Sequence, residues 1–241
     1  MRLLAFSARN RKEITRDPLT VIFGLLMPLA LMLMAHVLAQ SVPAPQFRAE
    51  NFAPGMAVFS LSFMAMFSGV LVSKDRTSAF LMRLRATPLT TGDYIYGYTL
   101  PLLPVGLAQG FLCLLAALLM GVPLSVNLLL ALAALIPSAL LFIALGVLFG
   151  TCLTDKQVSG LGSLLVNLAT LLGGTWFELE LIGGTFARVC RLLPFAHAVD
   201  AVRAALAGNY GAVAPHLAWV LGYTALFFAL ATLLLRRTLR R

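Results

Sequence analysis

The chain has 241 residues, of which 60% are hydrophobic and only 11% are charged. A water-soluble domain of this size needs a larger charged surface, so the composition excludes a soluble globular protein and indicates a membrane protein. The net charge of +9 does not indicate nucleic-acid binding. Lys and Arg occur in short clusters between long uncharged runs, and not along one face interleaved with aromatic residues.

Residues 1–17 form the first predicted element, an amphipathic helix. Five charged side chains fall within a helical-wheel sector of about 100°, and they are Arg2, Arg9, Lys12, Glu13 and Arg16, while Arg11 lies outside this sector. Small and apolar side chains lie roughly opposite, at Leu3, Leu4, Ala8 and Ile14. We predict a helix lying on the cytoplasmic face of the membrane. The alternative is a solvated basic leader that only sets topology.

Six uncharged stretches follow, and each matches the roughly 20 apolar residues that a membrane span needs. The predicted spans are 20–40, 52–73, 94–120, 127–153, 157–177 and 213–235. Residues 94–154 hold no Asp, Glu, Lys or Arg over 61 positions, about twice the length of one span. This stretch must therefore fold back, and the turn residues of 121–127 mark the place.

The distribution of Lys and Arg predicts the orientation of these spans. Fourteen of the 18 basic residues fall on the side that holds both termini, and that side nets +9 while the other nets zero. Because Lys and Arg are retained on the cytoplasmic side, both termini are predicted to be cytoplasmic.

The cytoplasmic loop after the second span combines basic and large apolar residues. Within it, 78–87 is predicted to be a short helix in which Phe80, Leu81 and Leu84 share one face and Arg83 and Arg85 flank it. Such an apolar knob suits docking to another protein, and packing on the membrane interface or on the chain's own helices is equally compatible. Thr90 and Asp93 have capping-box spacing, so a helix should begin just after Thr90.

The outer segment 178–207, between the fifth and sixth spans, is too long for a tight turn, and its apolar stretch Leu181–Ala187 is too short to cross the membrane. We predict a re-entrant pair of helices, and the alternative is a plain outer loop with one surface helix. Two Gly-x-x-x-Gly elements on the third and fourth spans, Gly106/Gly110 and Gly146/Gly150, predict close helix packing within the chain.

The sequence lacks the motifs of a self-sufficient pump or enzyme. None of its three lysines ends a phosphate-binding loop, and no zinc-protease or nucleophile-elbow motif occurs. The three cysteines have no close spacing that would indicate a metal site or disulfide framework. No titratable side chain lies deep within a predicted span, so we expect an external energy source and an apolar or amphipathic cargo. A non-transporting membrane scaffold is the alternative.

The chain resembles the permease subunits of bacterial ABC type-2 exporters over nearly its whole length. The resemblance lies in the amphipathic leader, the segment Lys74–Leu89 with its Thr87-Pro88-Leu89, and the segment Leu193–Arg203. The run Trp176–Glu180 departs from the family, because it lacks the prolines found in many relatives and carries Glu178 and Glu180 instead.

The resemblance implies a homodimer in the bacterial inner membrane, in contact with lipids and with a separate ATPase subunit that binds ATP and Mg²⁺. This chain would bind no cofactor or metal. Residues 78–87 would be the coupling helix that docks on the ATPase. The cargo pathway would be lined by Phe59, Phe63, Phe67, Asn167 and Trp176. The outer gate would involve Glu178, Glu180, Pro194, His197, Asp200 and Arg203.

Overall fold

A computed structural model describes residues 2–16, 18–41, 45–78, 90–177 and 179–240. Within these ranges the fold is all-helical. The helices are α1 (Arg2–Arg16), α2 (Pro18–Ser41), α3 (Ala49–Thr77), α4 (Thr91–Leu119), α5 (Val126–Cys152), α6 (Asp155–Leu172), α7 (Leu179–Ile182), α8 (Gly184–Leu192), α9 (Pro194–Leu206) and α10 (Tyr210–Arg240). A short 3-10 turn, Pro45–Phe47, precedes α3.

Five of the described helices are long and apolar enough to cross a membrane, judged by length and composition. They are α3, α4, α5, the part Gly24–Ser41 of α2 and the part Tyr210–Arg237 of α10. These five confirm the prediction of a multi-pass, all-helical protein. Helix α6 is not among them, and its 18 residues include Asp155, Lys156, Gln157 and Asn167. The crossing at 157–177 therefore stays a prediction.

Helix α3 is the centre of the bundle, where it contacts α2, α4, α5, α6 and α9. Its closest neighbour is α5, and glycine makes this approach possible. A Cβ at Gly150 would lie 2.5 Å from the carbonyl oxygen of Gly69, and a Cβ at Gly146 would collide with the Ala65 carbonyl. Nearby, Ser68 Oγ donates to the Ile143 carbonyl at 3.2 Å. The Gly146/Gly150 element thus packs within the chain, as predicted.

Helix α1 is described as a helix, but its buried face differs from the predicted one. Phe6, Asn10 and Ile14 are buried, whereas Leu4 is exposed. The reason is that α1 packs on the N-terminal part of α4, where Phe6 lies edge-on to Tyr98 with ring centroids 5.1 Å apart. The sequence-based wheel could not register this neighbour.

Helix α6 ends at Leu172, five residues before the predicted limit of 177. The chain turns at Gly174, whose φ of 67° is strained for any side-chain-bearing residue. Three short helices, α7 to α9, then fill the outer segment before α10 begins.

Candidate functional site

The predicted coupling residues lie outside the described part of the chain. Phe80, Leu81, Arg83, Leu84 and Arg85 all fall in 79–89, so their role stays a prediction. The structure does describe the two anchors of this segment. Helix α3 ends at Thr77 on one side, and α4 begins at Thr91 on the other.

The anchor at the start of α4 is the predicted capping box, which is confirmed. The Asp93 backbone N–H donates to Thr90 Oγ1 at 3.2 Å. In return, the Thr90 backbone N–H donates to Asp93 Oδ2 at 2.8 Å. Two otherwise unpaired donors of the first turn are thereby satisfied, which fixes where α4 begins relative to the segment before it.

The anchor at the end of α3 is an ion pair with α1. Arg9 Nη1 lies 2.5 Å from Asp75 Oδ2, and Tyr98 Oη of α4 donates to the same carboxylate oxygen at 3.0 Å. Asp75 is buried, so these two partners offset the cost of removing its carboxylate from water. Burial lowers the pKa of Arg9, but the hydrogen bond and attraction of Asp75 outweigh it, and the pKa lies above its ordinary value.

Further contacts bind α1 to α4. Asn10, which is fully buried, donates from its side-chain amide to the Gly97 carbonyl at 3.0 Å. A Cβ at Gly97 would collide with the ring of Phe6. Together with the ion pair, these contacts join α1, α3 and α4 into one unit, and α3 and α4 are the helices that precede and follow 79–89 in the chain. We call the set Arg9, Asn10, Asp75, Gly97 and Tyr98 the cytoplasmic clamp, after the side on which the charge bias predicts it to lie.

A separate contact extends this unit to the α5–α6 connection. Arg76 Nη2 donates to the Leu153 carbonyl at 2.7 Å. Leu153 caps α5, and α6 begins two residues later with a capping box between Thr154 and Gln157. This hydrogen bond joins the end of α3 to the connection between α5 and α6.

The predicted pathway residues do not form one continuous wall within this chain. Phe59 and Phe63 lie edge-on with ring centroids 5.4 Å apart, and Phe59 is buried in the core. Trp176 packs edge-on against Phe52 at 5.4 Å. Asn167 is exposed on α6, and its amide donates to the Ser163 carbonyl of the same helix.

Phe67 is the pathway residue that borders an open volume. A cavity of about 770 Å³ lies between the end of α1, the C-terminal half of α3 and the start of α6. We call it the inner cavity. Its lining comprises Glu13, Ile14, Arg16, Met66, Phe67, Val70, Leu71, Lys74, Asp155, Lys156 and Ser159.

Two of the predicted outer-gate residues meet at a smaller cavity of about 210 Å³. Arg203 and Asp200 both line it and form an ion pair with Nη1 and Oδ1 2.8 Å apart. Arg203 also donates to the Gly174 carbonyl at 3.3 Å. Pro194 occupies the first turn of α9, where its missing N–H costs nothing. Glu178 and the side chain of Glu180 lie outside the described part.

His197 joins α9 to the last helix, a relationship that sequence reasoning missed. Its Nε2 lies 2.9 Å from the Arg191 carbonyl, so Nε2 carries the proton. Its Nδ1 lies 2.8 Å from His216 Nδ1, so the two rings share one hydrogen bond. The indole of Trp219 stacks on the His197 ring at 5.1 Å. These contacts fix the outer helix α9 on α10.

The cytoplasmic clamp was also missed as a unit. The available signals were an acid, Asp75, close to the end of an apolar span and a basic residue, Arg9, on an amphipathic helix. Nothing in the sequence paired them.

Comparison with known families agrees with this architecture. The family described as ABC-2 type transporter matches residues 1–207. This chain therefore belongs to the ABC-2 type transporter membrane family. It is the multi-pass permease component of such a transporter, a component that lacks its own ATPase, and permeases of this family normally work with an ATP-binding subunit. A search of curated proteins found no match.

Proposed function

We propose that this chain is the permease of an exporter that moves a hydrophobic or amphipathic cargo out of the cytoplasm or inner leaflet. A separate ATPase subunit, holding ATP and Mg²⁺, would supply the energy. The cytoplasmic clamp is the observation that carries this proposal. It ties three helices together beside 79–89, where a force from a docked ATPase would enter the bundle.

In the proposed mechanism, closure of the ATPase subunits pushes on 79–89 through Phe80, Leu81 and Leu84. Because Asp75 and Arg76 bond α3 to α1 and to the α5–α6 connection, these elements would move as one rigid body. Rocking of this body would separate the short outer helices α7 to α9 and open the outer gate. This chain would provide the pathway and the lever.

The proposed topology has six spans, with α6 as the fifth. Eighteen residues rise about 27 Å in a helix, close to the roughly 30 Å of a hydrocarbon core. Both termini would lie in the cytoplasm, as the charge bias favours. The described segment 179–206 would be a re-entrant outer hairpin in the bacterial inner membrane.

We propose that two copies pair through α6. Its exposed side carries Leu161, Leu164, Leu168 and Leu171. This 3,4,3 spacing places the four leucines on one stripe, as in helices that pack side by side. A second copy would cover the stripe, and lipids would cover the exposed faces of α2 and α10.

Co-purification with an ATPase subunit and reconstitution in proteoliposomes test the proposal. A panel of lipids, glycolipids, antibiotics and other drugs would be screened for stimulation of ATP hydrolysis. We expect at least one amphipathic class to stimulate hydrolysis and to be transported. Substitution of Phe63 or Trp176 should change the ranking of cargoes more than protein stability. Hydrolysis unaffected by every cargo class, with no transport, would contradict the proposal.

A further inference from the structure

We propose that the inner cavity binds the anionic headgroup and the adjoining tail of an amphiphile from the inner leaflet. This inference rests on the proposed function and names the chemical class of its cargo. The cavity volume of about 770 Å³ lies within the range of pockets that hold small molecules, roughly 300–1,000 Å³. Its lining has two parts: an apolar part on α3, which we call the wall, and a charged, more exposed part around Lys74 and Lys156, which we call the mouth.

The wall is a continuous apolar strip of one helix. Met66, Phe67, Val70 and Leu71 of α3 all line the cavity. Met66 and Phe67 lie one helical turn before Val70 and Leu71, so the four side chains share one side of α3. An alkyl or aromatic tail would find van der Waals partners along this strip, and it would leave water in doing so.

The mouth is charged, and its charge is unbalanced. Arg16 and Glu13 form an ion pair at 3.5 Å. The remaining charged lining residues are Lys74, Lys156 and Asp155. Both lysines are exposed, and neither forms an ion pair with another residue of the described ranges.

Asp155 does not cancel both lysines. It occupies the first turn of α6, where the helix N-terminus carries a partial positive charge that a carboxylate offsets. The mouth therefore keeps a positive potential above an apolar wall. This combination matches a molecule with an anionic head and an apolar tail, and it does not match an uncharged or cationic drug.

The position of the mouth fits the same ligand. Lys74 lies near the end of α3 and Lys156 near the start of α6, both on the side where basic residues accumulate. Anionic headgroups are enriched on the cytoplasmic leaflet, and each nearby Lys or Arg contributes about 1 kcal/mol of attraction. That corresponds to roughly fivefold in affinity for each lysine.

The test uses the full chain in phosphatidylcholine nanodiscs, with fluorescent phosphatidylglycerol as the probe and fluorescent phosphatidylcholine as the neutral reference. Lys74→Gln and Lys156→Gln should each weaken phosphatidylglycerol binding about fivefold, and the double variant roughly twentyfold. The matched control is Lys12→Gln, because Lys12 is the remaining lysine of the chain and does not line the cavity. It should change binding less than about twofold.

Four results would overturn the inference. They are equal binding of the two probes, an equal loss in Lys12→Gln, full competition by millimolar inorganic phosphate, and a changed oligomeric state of the double variant. Phosphate competition would indicate a site for free anions, and a changed oligomer would mean that a second copy covers the cavity. Binding is measured without ATP or a partner. Failure of transport with intact binding would therefore count against the proposed function alone.

Discussion

Arg9 of α1 and Asp75 of α3 form an ion pair. Asp75 lies four residues before the segment 79–89 in the chain. The two residues are 66 positions apart in the chain, and their closest atoms are 2.5 Å apart. Because Tyr98 of α4 donates to the same carboxylate oxygen, one buried charge fixes three helices. This arrangement makes α1 part of the helical bundle, packed on α3 and α4 through buried contacts.

The first prediction concerns this ion pair. Asp75→Asn and Arg9→Gln should each lower the free energy of unfolding by about 1.5–3 kcal/mol, because each removes a charge-assisted hydrogen bond. The loss of unfolding free energy in the double variant should be much smaller than the sum of the two single losses. Once one member of the pair has been replaced, replacing the other breaks no further ion pair. Thermal unfolding in detergent, with the four proteins compared, measures the coupling.

Glu50→Gln is the control for this cycle. Glu50 and Arg48 are 3.9 Å apart and both are largely exposed, so the loss should stay below about 1 kcal/mol. Strictly additive losses for Arg9 and Asp75 would contradict the role of the pair.

The second prediction concerns the coupling segment. Phe80→Glu combined with Leu84→Glu should leave the fold intact, since 79–89 joins two helices that are anchored independently by the Thr90–Asp93 capping box and by Asp75. The charges should prevent apolar docking, so ATP hydrolysis would continue without export. Parallel assays of hydrolysis and transport on the reconstituted complex measure this uncoupling. Normal export by the double variant would remove the assignment of this segment as the coupling helix.

The third prediction concerns the α3–α5 contact. Gly146→Val should lower the free energy of unfolding by about 1–3 kcal/mol, because the new side chain must displace the backbone of α3. The matched control is Gly222→Val on α10, where an added Cβ meets nothing within 4 Å. Size-exclusion profiles and melting temperatures separate the two. A well-folded Gly146→Val protein with unchanged melting would show that the two helices are farther apart.

The fourth prediction concerns the three cysteines. Cys152 is exposed at the end of α5, whereas Cys113 and Cys190 are buried. Burial also raises the pKa of the Cys190 thiol, so less of it is the reactive thiolate at neutral pH. A membrane-impermeant maleimide should label Cys152, and only from the cytoplasmic side. Cys152→Ser should abolish this labelling, and labelling of intact cells from outside would contradict the proposed orientation.

Hydropathy and charge were enough to predict the all-helical, multi-pass class. The bilayer sets the length of each span, and its core offers no hydrogen-bond partners to the backbone, so each of these spans must be a helix. Both constraints act on neighbouring residues, and they can therefore be recognised from short stretches of sequence. The Thr90–Asp93 capping box was predictable for the same reason, because both partners lie within one helical turn. The family resemblance was likewise confirmed.

The contacts that build the sites were not predictable. Arg9 and Asp75, His197 and His216, and Arg76 and Leu153 each join different helices, and a helical wheel contains no information about neighbours. The wheel also placed Arg9 on a solvent-facing sector, since it could not register a buried carboxylate elsewhere in the chain. The end of α6 at Leu172 depended on the backbone of Gly174, which composition alone does not specify.

The most direct test is export from proteoliposomes that contain this chain with and without its ATPase subunit. We expect cargo movement only when both proteins and ATP are present, and its loss when the ATPase cannot hydrolyse ATP. Full export by this polypeptide alone would contradict the conclusion that its energy comes from another subunit.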